Sequence, residues 1–463
     1  SSSAASDVYK RQALLRAYFA SRPDPERGYA LAAIAGALDF PGAKSATLKE
    51  LAAARTDAEL FSLSYDFVGD LAETIALIWP THGDDAPDLP AIVEALRNAK
   101  RTEIPALIES WLDRCDPSTR LALIKLLTGG LRVGASLRLA KLALAEMGLV
   151  DVNEIEEIWH GLAPPYTSLF TWLEGRGPRP TPGEAPVFRP VMLAHPVEEE
   201  DIARTDWRDF RAEQKYDGIR VQLVATPTGK RLYSRAAEDI SAAFPEILEA
   251  ADFHAVLDGE LLVIRDGEIA PFADLQQRLN RKTTTPALQQ KFPVGIMLYD
   301  LLFENAEDLR PLPFDARRTR LEAWFAAASP PAMQLSPLIS FAHMDELAAL
   351  REAARAEASE GLMLKRGDAP YVAGRPKGLW WKWKRAPLSL DAVLMYAQRG
   401  HGKRSSFYSD YTFGVWTEAG ELVPVAKAYS GYTDEELNFI DKWIRAHTIA
   451  RFGPVRELSL IHI

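Results

Sequence analysis

Residues 213–220 read EQKYDGIR and carry the feature around which the rest of the chain is arranged. Lys215 lies two residues before an Asp-Gly pair, and apolar alternation resumes directly afterwards with Ile219, Val221 and Leu223. An Asp-Gly pair between extended segments predicts a tight turn, so we expect Lys215 at the end of a strand with its amine pointing out of the sheet. Such an amine can act as a nucleophile once it has lost its proton. Taken alone, however, a lysine beside an Asp-Gly turn is usually a solvated hairpin residue, so the rest of the chain must decide.

The composition is that of a globular protein. Of the 463 residues, 47% are hydrophobic and 25% are charged, which is ordinary for a chain with about two to four packed domains. No apolar run approaches the roughly 20 residues that a membrane span needs, and no secretory signal is visible at the start, so we expect a cytoplasmic protein with no membrane partner. The single cysteine, Cys115, excludes a disulfide framework and a multi-cysteine zinc site. Any metal is therefore expected to be a hard cation held by carboxylates and phosphates.

Charge is distributed unevenly along the chain. The net charge of −10 argues against a nucleic-acid partner, because binding to a phosphate backbone needs a basic surface. Acidic residues are concentrated at positions 198–209 and 345–360, whereas residues 278–282, 375–385 and 399–404 are almost purely basic. This separation would give an acidic protein one cationic face.

The two ends differ from the rest of the chain. SSSAASDVYKRQ at residues 1–12 and LSLIHI at residues 458–463 resemble translated sequencing-adapter read-through. We therefore expect both segments to be artefacts that take no part in the fold, and the chain to be truncated at both termini.

Residues 13–163 carry a helical pattern, with apolar residues three and four apart, many Ala and Leu, and short breaks at Pro, Gly and Asp. Strand-like alternation is nearly absent, so this region predicts an all-α domain. Helices are expected near residues 27–38, 57–79, 89–98, 104–114, 118–127 and 136–146.

A glycine-rich connection, TGGLRVGAS at residues 128–136, separates the last two of these helices. Its Gly129, Gly130 and Gly134 would leave backbone amides exposed beside Arg132, and Ser136 would cap the next helix, which suits binding of phosphate. A plain helix-helix turn that needs glycines for positive φ explains the same residues. The sequence leaves both interpretations open.

The pattern changes after the helical region. Residues 164–196 are rich in proline and predict an extended linker and a domain boundary. From residue 197 to 387, strands alternate with shorter helices, which predicts an α+β domain with mixed or antiparallel sheets. Residues 388–457 hold short strands with glycine turns and one helix, which fits the beginning of a small β-barrel with strands missing.

Four further stretches place polar residues inside apolar strands, where an unpaired charge would be costly to bury. Any one of them could be a structural pair, but together with Lys215 they predict a polar cleft through the core of a sheet. The alternation of LWWKWKR puts its lysines on one face and its tryptophans on the other. The stretches are VLDGELLVI with Glu260, GIMLYDLLF with Tyr299 and Asp300, EGLMLKR with Glu360 and Lys365, and LWWKWKR with Lys382 and Lys384.

The ordered set KYDGIR, SRAAED, LDGELL, LYDLLF, EGLMLKR and WWKWK resembles the nucleotidyltransferase motifs of ATP-dependent DNA ligases, in the same order and at compatible spacing. The helical region with GGLRVGAS before it and the small barrel after it are similar to the larger bacterial-type ligases, in which a DNA-binding domain precedes the catalytic core. The resemblance covers essentially the whole chain between the two ends. It implies a multidomain fold with an all-α DNA-binding domain at 13–163, an α+β nucleotidyltransferase domain at 197–387 and an incomplete β-barrel, a partial OB-fold, at 388–457.

The resemblance also implies a role for each site residue. Lys215 would be the nucleophile that takes AMP as a phosphoramide, Glu213 would lie against the adenine, and Tyr299, where the family commonly has Phe, would stack on the purine. The others would hold ribose, phosphate, metal or DNA. Arg220 and Arg235 would reach the ribose, the phosphate or the 5′ end of the nick, and Glu260 and Glu360 would bind the ribose hydroxyl or Mg²⁺. Lys382 and Lys384 would bind the α-phosphate with Arg375 or Lys377 beside them, and the residues at the DNA would be Gly129, Gly130, Arg132, Gly134 and Ser136.

The implied activity is the sealing of nicks in duplex DNA by a monomer that uses ATP and Mg²⁺. The lysine would expel pyrophosphate from ATP, AMP would pass to the 5′-phosphate of the nick, and the 3′-hydroxyl would displace AMP. Phosphoryl transfer is catalysed mainly by positioning and charge neutralisation, so a nucleophile surrounded by Arg, Lys and carboxylate-held Mg²⁺ fits that chemistry.

One family motif has no match in the sequence. It is a basic segment near the end of the barrel that helps to orient the pyrophosphate leaving group. RFGPVR at residues 451–456 resembles it but follows directly after the helix of the barrel. We therefore expect poor self-adenylylation, whereas a pre-adenylylated nick could still be sealed.

Alternatives to a DNA ligase stay open. RNA ligases and mRNA capping enzymes share most of these motifs, although neither usually carries the long helical domain. A catalytically impaired DNA-binding scaffold could keep the same fold. NAD-dependent ligases are disfavoured, because one cysteine cannot build their zinc module.

Overall fold

A computed structural model of the chain describes residues 2–81, 83–131, 134–279, 281, 283–353, 359–385, 390–399, 407–429, 431–452 and 455–459. The chain forms two compact units, residues 1–385 and residues 386–463, whereas the sequence predicts three domains. The first unit consists of a helical part followed by a part built on two β-sheets.

The helical part occupies residues 2–173, and the described residues of this range form no strand. Aspartates begin several of its helices: Asp57, Asp70, Asp88 and Asp116 each accept a hydrogen bond from a backbone amide of the first turn. These bonds satisfy donors that the start of a helix otherwise leaves unpaired. The helices are α1 (Ser2–Ser21), α2 (Glu26–Ile34), α3 (Ser45–Arg55), α4 (Ala58–Val68), α5 (Leu71–Ile78), α6 (Leu89–Asn98), α7 (Ile104–Arg114), α8 (Pro117–Leu127), α9 (Leu137–Gly148), α10 (Val152–Trp159) and α11 (Thr167–Leu173).

The predicted helices at residues 89–98 and 104–114 are confirmed as α6 and α7. The prediction of one helix over residues 57–79 is wrong. Gly69 ends α4 with a φ of 74°, and Asp70 caps α5 immediately afterwards. A left-handed residue at a helix end favours glycine, so the break follows from a local signal in the sequence.

Two segments that the sequence analysis set aside belong to the helical part. Helix α1 runs continuously through residues 2–21 and packs on α9. Its Arg11 donates to the carbonyl of Gly134, just before α9, at 2.9 Å. Residues 164–196 are not an extended linker throughout, because α11 lies within them. Leu169 and Phe170 of α11 are fully buried in the helical core, so apolar packing decides the local structure despite the surrounding prolines.

The second part of the first unit consists of two sheets flanked by short helices. Its helices are α12 (Glu199–Arg204), α13 (Pro245–Glu249), α14 (Phe272–Gln276), α15 (Pro286–Lys291), α16 (Phe314–Ala328) and α17 (Met344–Ala353), with 3-10 turns at Trp207–Asp209 and Ser241–Ala243. Its strands are β1 (His195–Pro196), β2 (Phe210–Tyr216), β3 (Ile219–Thr226), β4 (Gly229–Ser234), β5 (Ala255–Arg265), β6 (Glu268–Ile269), β7 (Val294–Glu304), β8 (Glu307–Asp308), β9 (Met333–Leu335), β10 (Leu338–Ile339), β11 (Ser359–Arg366) and β12 (Trp380–Lys384).

The order of the strands separates the sequence motifs between the two sheets. One sheet has the order β1-β12-β11-β2-β10, and the other has β4-β3-β5-β7-β8, with β6 beside β5 and β9 beside β7. Trp381 and Trp383 of β12 are buried together with Trp207 and Leu347. Lys382 and Lys384, which alternate with these tryptophans, therefore face the opposite side of the strand, as the alternation predicts.

The Asp217–Gly218 turn joins these two sheets. Lys215 lies at the end of β2, as predicted, but β2 pairs with β11 and β10 while β3 pairs with β4 and β5. The two strands beside the turn therefore do not form a hairpin. A side chain at Gly218 would place its Cβ 2.5 Å from the carbonyl oxygen of Leu261 in β5, so the close approach of the turn to β5 requires glycine here. The result is a cleft between the sheets with Lys215 at its edge.

The second unit contains an antiparallel sheet and one helix. Its elements are β13 (Val393–Arg399), β14 (Tyr408–Trp416), β15 (Leu422–Ala428), α18 (Asp434–His447), β16 (Thr448–Phe452) and β17 (Val455–Leu458), and the strand order is β15-β14-β13-β17-β16. Strands β16 and β17 were not predicted. Leu458, which was assigned to the artefact at the end of the chain, is buried in β17 with Tyr408 and Ile444. Most of the basic run at residues 399–404 lies outside the described residues.

None of the described helices combines the length and the apolar character needed to cross a lipid bilayer.

Candidate active site

A cavity of about 410 Å³ lies between the two sheets, in the size range of small-molecule sites. Each sheet contributes to its walls, so residues far apart in sequence meet there. The predicted site residues that line it are Glu213, Lys215, Arg220, Arg235, Glu260, Tyr299, Glu360, Lys382 and Lys384. Neither Arg375 and Lys377 nor the described residues of the glycine-rich connection are among its lining residues.

Lys215 is held by a carboxylate from the neighbouring strand. Its Nζ lies 2.6 Å from Glu360, and Lys384 Nζ lies 3.0 Å from the same oxygen. Burial favours the neutral form of Glu360, but the hydrogen bonds and charges of the two lysines outweigh it, so the pKa of Glu360 is below its usual range. The side chain of Lys215 remains 22% exposed, so it can be reached from the cavity.

Two more carboxyl groups near Lys215 are held closer to their neutral forms. Burial raises the pKa of Glu260 to about 8, against the opposing charges of Lys215 and Arg220. Burial and the neighbouring Glu360 also raise the pKa of Asp217, which the sequence analysis had not selected. Because neutral carboxyl groups in a cleft become stable anions when a cation is added, these oxygens suit a hard divalent ion.

The carboxylates do not form a complete metal cage on their own. Within the described part of the chain, no group of three or more His, Cys, Asp or Glu side chains is arranged to hold an ion. An ion at Glu260 and Glu360 would therefore need further oxygen ligands from substrate phosphates or water, which is the coordination that Mg²⁺ commonly accepts.

Arg220 is occupied by the protein itself. Its Nε and Nη2 donate to the two oxygens of Asp258 at 3.0 and 2.6 Å, Nη1 donates to the carbonyl of Met192 at 2.6 Å, and Nη2 also contacts the hydroxyl of Tyr371 at 3.0 Å. Burial disfavours the charge of Arg220, but Asp258 outweighs it and raises the pKa of Arg220. The prediction that Arg220 reaches ribose or phosphate therefore has little support, because most of its donors are already used.

Asp258 was not predicted as a site residue, although a signal for it was present in the sequence. Asp258 comes two residues before Glu260 in the same strand, and alternate residues of a strand share a face. It is completely buried, and its partner Arg220 lies opposite Glu260 in the antiparallel register.

Glu213 forms an ion pair with Lys365 in the wall of the cavity. Its carboxylate lies 2.5 Å from Lys365 Nζ and 3.5 Å from Arg318, and all three side chains are buried. The Lys365 ammonium also lies over the rings of Tyr299, at 4.3 Å, and Trp380, at 4.7 Å. Lys365 lines the cavity as well, so it belongs to the site, although it was not among the residues selected from the sequence.

A group of unpaired cations lies at the other end of the site. Burial lowers the pKa of Lys382, and the nearby positive charges of Arg375, Lys384 and Arg235 lower it further. Among the residues that the structure describes, Arg235, Arg375 and Lys382 form no ion pair with a carboxylate. Unpaired arginines and lysines at the mouth of a cavity are suited to binding a polyphosphate.

Arg375 and Lys377 occupy different places. Arg375 lines a second cavity of about 910 Å³ together with Arg235 and with Arg138 and Lys141 of the helical part. Lys377 lines a separate depression beside Glu198, Glu200 and Asp201. The sequence could not separate these two residues, and the structure places Arg375 nearer the cavity that holds Lys215.

The glycine-rich connection takes the form of a turn. Gly129 and Gly134 have φ values of 72° and 69°, and the amides of Gly129 and Gly130 donate to the carbonyls of Leu126 and Lys125. The expectation that these two amides are exposed to phosphate is therefore wrong. Ser136 caps α9 by accepting from the amide of Leu139, and Arg132 lies outside the described residues.

Comparisons with known proteins place the chain near one family. A family model described as "ATP dependent DNA ligase domain" matches residues 191–384. A probable DNA ligase of Koribacter versatilis is 36% identical over 299 residues, which cover 59% of this chain and 52% of that protein. A probable DNA ligase of Anaeromyxobacter sp. is 33% identical over 354 residues, which cover 74% of this chain and 67% of that protein. The chain thus spans about half the length of the first relative and two thirds of the second.

A solved structure titled "Pmar-Lig_Pre." resembles the chain in fold. It has a TM-score of 0.51 at 16% identity, and the match covers 82% of this chain and 84% of that one. At this level of identity the likeness concerns the fold alone.

Proposed function

The chain belongs to the ATP-dependent DNA ligases, and on that premise we propose that it seals 5′-phosphate/3′-hydroxyl nicks in duplex DNA through a covalent lysyl-AMP intermediate. The observation that carries the proposal is the Lys215 amine, 2.6 Å from the Glu360 carboxylate, at the edge of a cavity whose mouth holds cations without carboxylate partners. A nucleophile next to a base and a cationic anion site is the arrangement that nucleotidyl transfer needs.

In the first step, the Lys215 amine attacks the α-phosphorus of ATP. A P–N bond forms, the bond from phosphorus to the bridging oxygen breaks, and pyrophosphate leaves with the electron pair. Glu360 is the nearest group to accept the amine proton. Lys382 and Lys384 line the same cavity and would offset the negative charge that builds up on the phosphate oxygens.

The purine would lie in the inner part of the cavity. Tyr299 offers an aromatic face there, and Arg220 and Lys365 lie over its ring at 5.9 and 4.3 Å. Glu213 forms part of the same wall. Because its carboxylate is paired with Lys365, we assign Glu213 to shaping and polarising the adenine pocket rather than to a free contact.

We assign a Mg²⁺ site to Glu260 and Glu360. The bound ion would neutralise charge on the phosphates and draw them toward the nucleophile. The raised pKa of Glu260 agrees with a carboxyl group whose burial outweighs the nearby charges of Lys215 and Arg220, and oxygen donors are the ligands that a hard cation prefers.

In the second and third steps, AMP passes to the 5′-phosphate of the nick, and the 3′-hydroxyl then displaces it. The second cavity is lined by Arg138, Lys141, Arg235 and Arg375. We place the DNA phosphates nearest the nick at its helical side, beside Arg138, and the phosphates of ATP at Arg235 and Arg375, whose charges act on Lys382 of the nucleotide cavity.

Of the two helical cations, Lys141 is buried and paired with Glu156 at 2.5 Å, whereas Arg138 is exposed and lies 3.4 Å from the same carboxylate. We therefore assign the helical part a role in DNA binding through Arg138. Ser136 and the turn before α9 would lie beside that path.

Three coarser assignments complete the proposal. The second unit, with its five described strands and one helix, is inferred to be part of an OB-fold. A monomer is inferred from the family resemblance, and light scattering would measure the oligomeric state. A bacterial-type enzyme acting on chromosomal DNA is inferred to work in the cytoplasm.

Incubation with α-labelled ATP tests the first step. We expect label on the wild-type protein and none on Lys215→Ala, whereas Lys291→Ala, which alters an exposed lysine of the same part, should label normally. Nicked DNA and nicked RNA duplexes, each supplied with ATP, NAD or GTP, then test the substrate. Sealing restricted to RNA would identify an RNA ligase, labelling by GTP would favour a capping-type enzyme, and the absence of label would favour a DNA-binding scaffold.

A further inference from the structure

Tyr371 lies outside the nucleotide cavity but is bonded to its wall. It belongs to the loop between β11 and β12 and is 5% exposed. Its hydroxyl donates to Asp258 at 2.6 Å and accepts from Arg220 at 3.0 Å, and its ring packs edge-on against Trp380. Asp258 and Arg220 belong to one sheet, whereas β11 and β12 belong to the other. The Tyr371 hydroxyl therefore connects the two sheets on either side of the cavity.

The same loop is fixed a second time three residues later. The amide of Gly374 donates to the carbonyl of Val191 at 3.0 Å, and the carbonyl of Gly374 accepts from the amide of Leu193 at 2.6 Å. Met192, between these two residues, accepts from Arg220. A closed ring of contacts thus runs from Tyr371 through Asp258, Arg220 and Met192 back to the loop at Gly374.

Arg375 is the next residue after this ring. Its side chain is exposed and lines the second cavity beside Arg235, and its carbonyl lies 3.2 Å from His195 Nε2. Its backbone position is therefore set by the contacts on each side of it. A short hydrogen bond from a hydroxyl to a buried carboxylate is among the stronger polar contacts in proteins, so the Tyr371 hydroxyl fixes one end of the segment that carries Arg375.

We propose that Tyr371 is a positioning residue that holds Arg375 in place to bind the phosphates of the substrate, by tying its loop to the Arg220–Asp258 pair. The proposal rests on the proposed function. It assigns Tyr371 no contact with substrate, and it explains why a tyrosine hydroxyl is buried against a carboxylate that already has an arginine partner.

Single-turnover labelling of the full chain with α-labelled ATP tests this inference, using Tyr371→Phe, Arg375→Ala and the double variant. We expect Tyr371→Phe to reach the full amplitude of labelling at a rate constant lower by about 10- to 100-fold, because small misplacements of a positioning group reduce the rate by such factors. If Tyr371 acts through Arg375, the double variant should be no slower than Arg375→Ala. Tyr411→Phe, which removes another buried hydroxyl hydrogen-bonded at 2.7 Å, serves as the matched control and should leave the rate unchanged.

Each other outcome overturns the inference. A wild-type rate in Tyr371→Phe shows that the hydroxyl positions nothing, and multiplied losses in the double variant show that it does not act through Arg375. A reduced amplitude with an unchanged rate constant, together with a lower melting temperature, identifies a purely structural role. If the wild-type protein takes no label while Tyr371→Phe folds normally, the proposed function itself fails and this inference fails with it.

Discussion

Lys215 and Glu360 are separated by 145 positions in the chain, yet their side chains meet at 2.6 Å. The contact exists because β2 and β11 are neighbours in one sheet, with Gly361 directly opposite Lys215. Lys384 joins the same carboxylate from β12, on the other side of β11. Three adjacent strands therefore bring one carboxylate and two amines together at the edge of the cavity.

Replacement of this carboxylate by an amide should slow lysine labelling without unfolding the protein. Glu360→Gln removes the nearest proton acceptor and leaves two ammonium groups without their partner. We expect the rate constant for labelling by α-labelled ATP to fall by about 100-fold, at the lower end of what general-base groups contribute. Glu352→Gln, at an exposed position of α17, is the control, and equal rates in the two variants would exclude a role for Glu360 in proton transfer.

The buried pair of Arg220 and Asp258 should matter for stability. The side chain of Asp258 is fully buried and that of Arg220 is 14% exposed, so Asp258→Asn leaves a charged guanidinium without its counter-ion. We expect the free energy of unfolding of the first unit, measured in urea, to fall by about 3–5 kcal/mol. The exposed pair of Arg208 and Asp206 provides the comparison, because Asp206→Asn should leave the free energy of unfolding nearly unchanged. Similar losses in both variants would contradict the role assigned to burial.

Local signals account for the parts of the fold that the sequence predicted well. Helices α6 and α7 begin and end where predicted because proline at their first turn and a change of periodicity mark them. Charged residues within apolar strands predicted a polar cleft for a similar reason, since a buried charge needs a partner. That cleft is present, and it gathers side chains from β2, β5, β11 and β12.

The remaining features of the site depend on which strands become neighbours. No local sequence pattern predicts the pairing of distant strands. The Asp-Gly turn looks the same in sequence whether it closes a hairpin or joins two sheets, and only the pairing of β2 with β11 separates these cases. Lys365 and Glu213 meet across the same pair of strands. Tyr371 lies in a loop without periodicity, so its bond to Asp258 had no signal in the sequence.

Acidification should weaken the contact between the helical part and the sheets through His160. Burial lowers the pKa of His160 to about 4, with Lys141 adding to the effect and Asp239 opposing it. The ring packs on Tyr233 and Phe188, and its Nε2 is buried without a hydrogen-bond partner. Because the folded pKa lies below the unfolded value of about 6.5, the unfolded state takes up the proton first and stability falls as the pH drops from about 6.5 toward 4.

For His160 the expected loss at pH 5 is about 2 kcal/mol relative to neutral pH. His160→Phe keeps an aromatic ring and should reduce the pH dependence by that amount, as measured by urea unfolding at pH 7.5 and pH 5.0. The exposed His343 provides the control, since His343→Gln should preserve the wild-type pH dependence. An identical pH dependence in His160→Phe would show that this histidine is not protonated differently in the two states.

Gly218 should be the position at which the smallest change disturbs the packing of the Asp217–Gly218 turn on β5. A Cβ there would lie 2.5 Å from the carbonyl oxygen of Leu261 and 2.9 Å from Cγ of Glu260, and backbone cannot yield as a flexible side chain can. We expect Gly218→Ala to lower the free energy of unfolding by about 1–3 kcal/mol and to reduce lysine labelling in the protein that remains folded, because the Lys215 strand must shift away from Glu260. In Gly229→Ala, the added Cβ would lie 3.4 Å from Pro186, an ordinary contact. We expect this variant to lose far less stability and far less lysine labelling. Normal labelling in a destabilised Gly218→Ala would show that the glycine serves the fold alone, and that the packing of the turn on β5 does not set the geometry at Lys215.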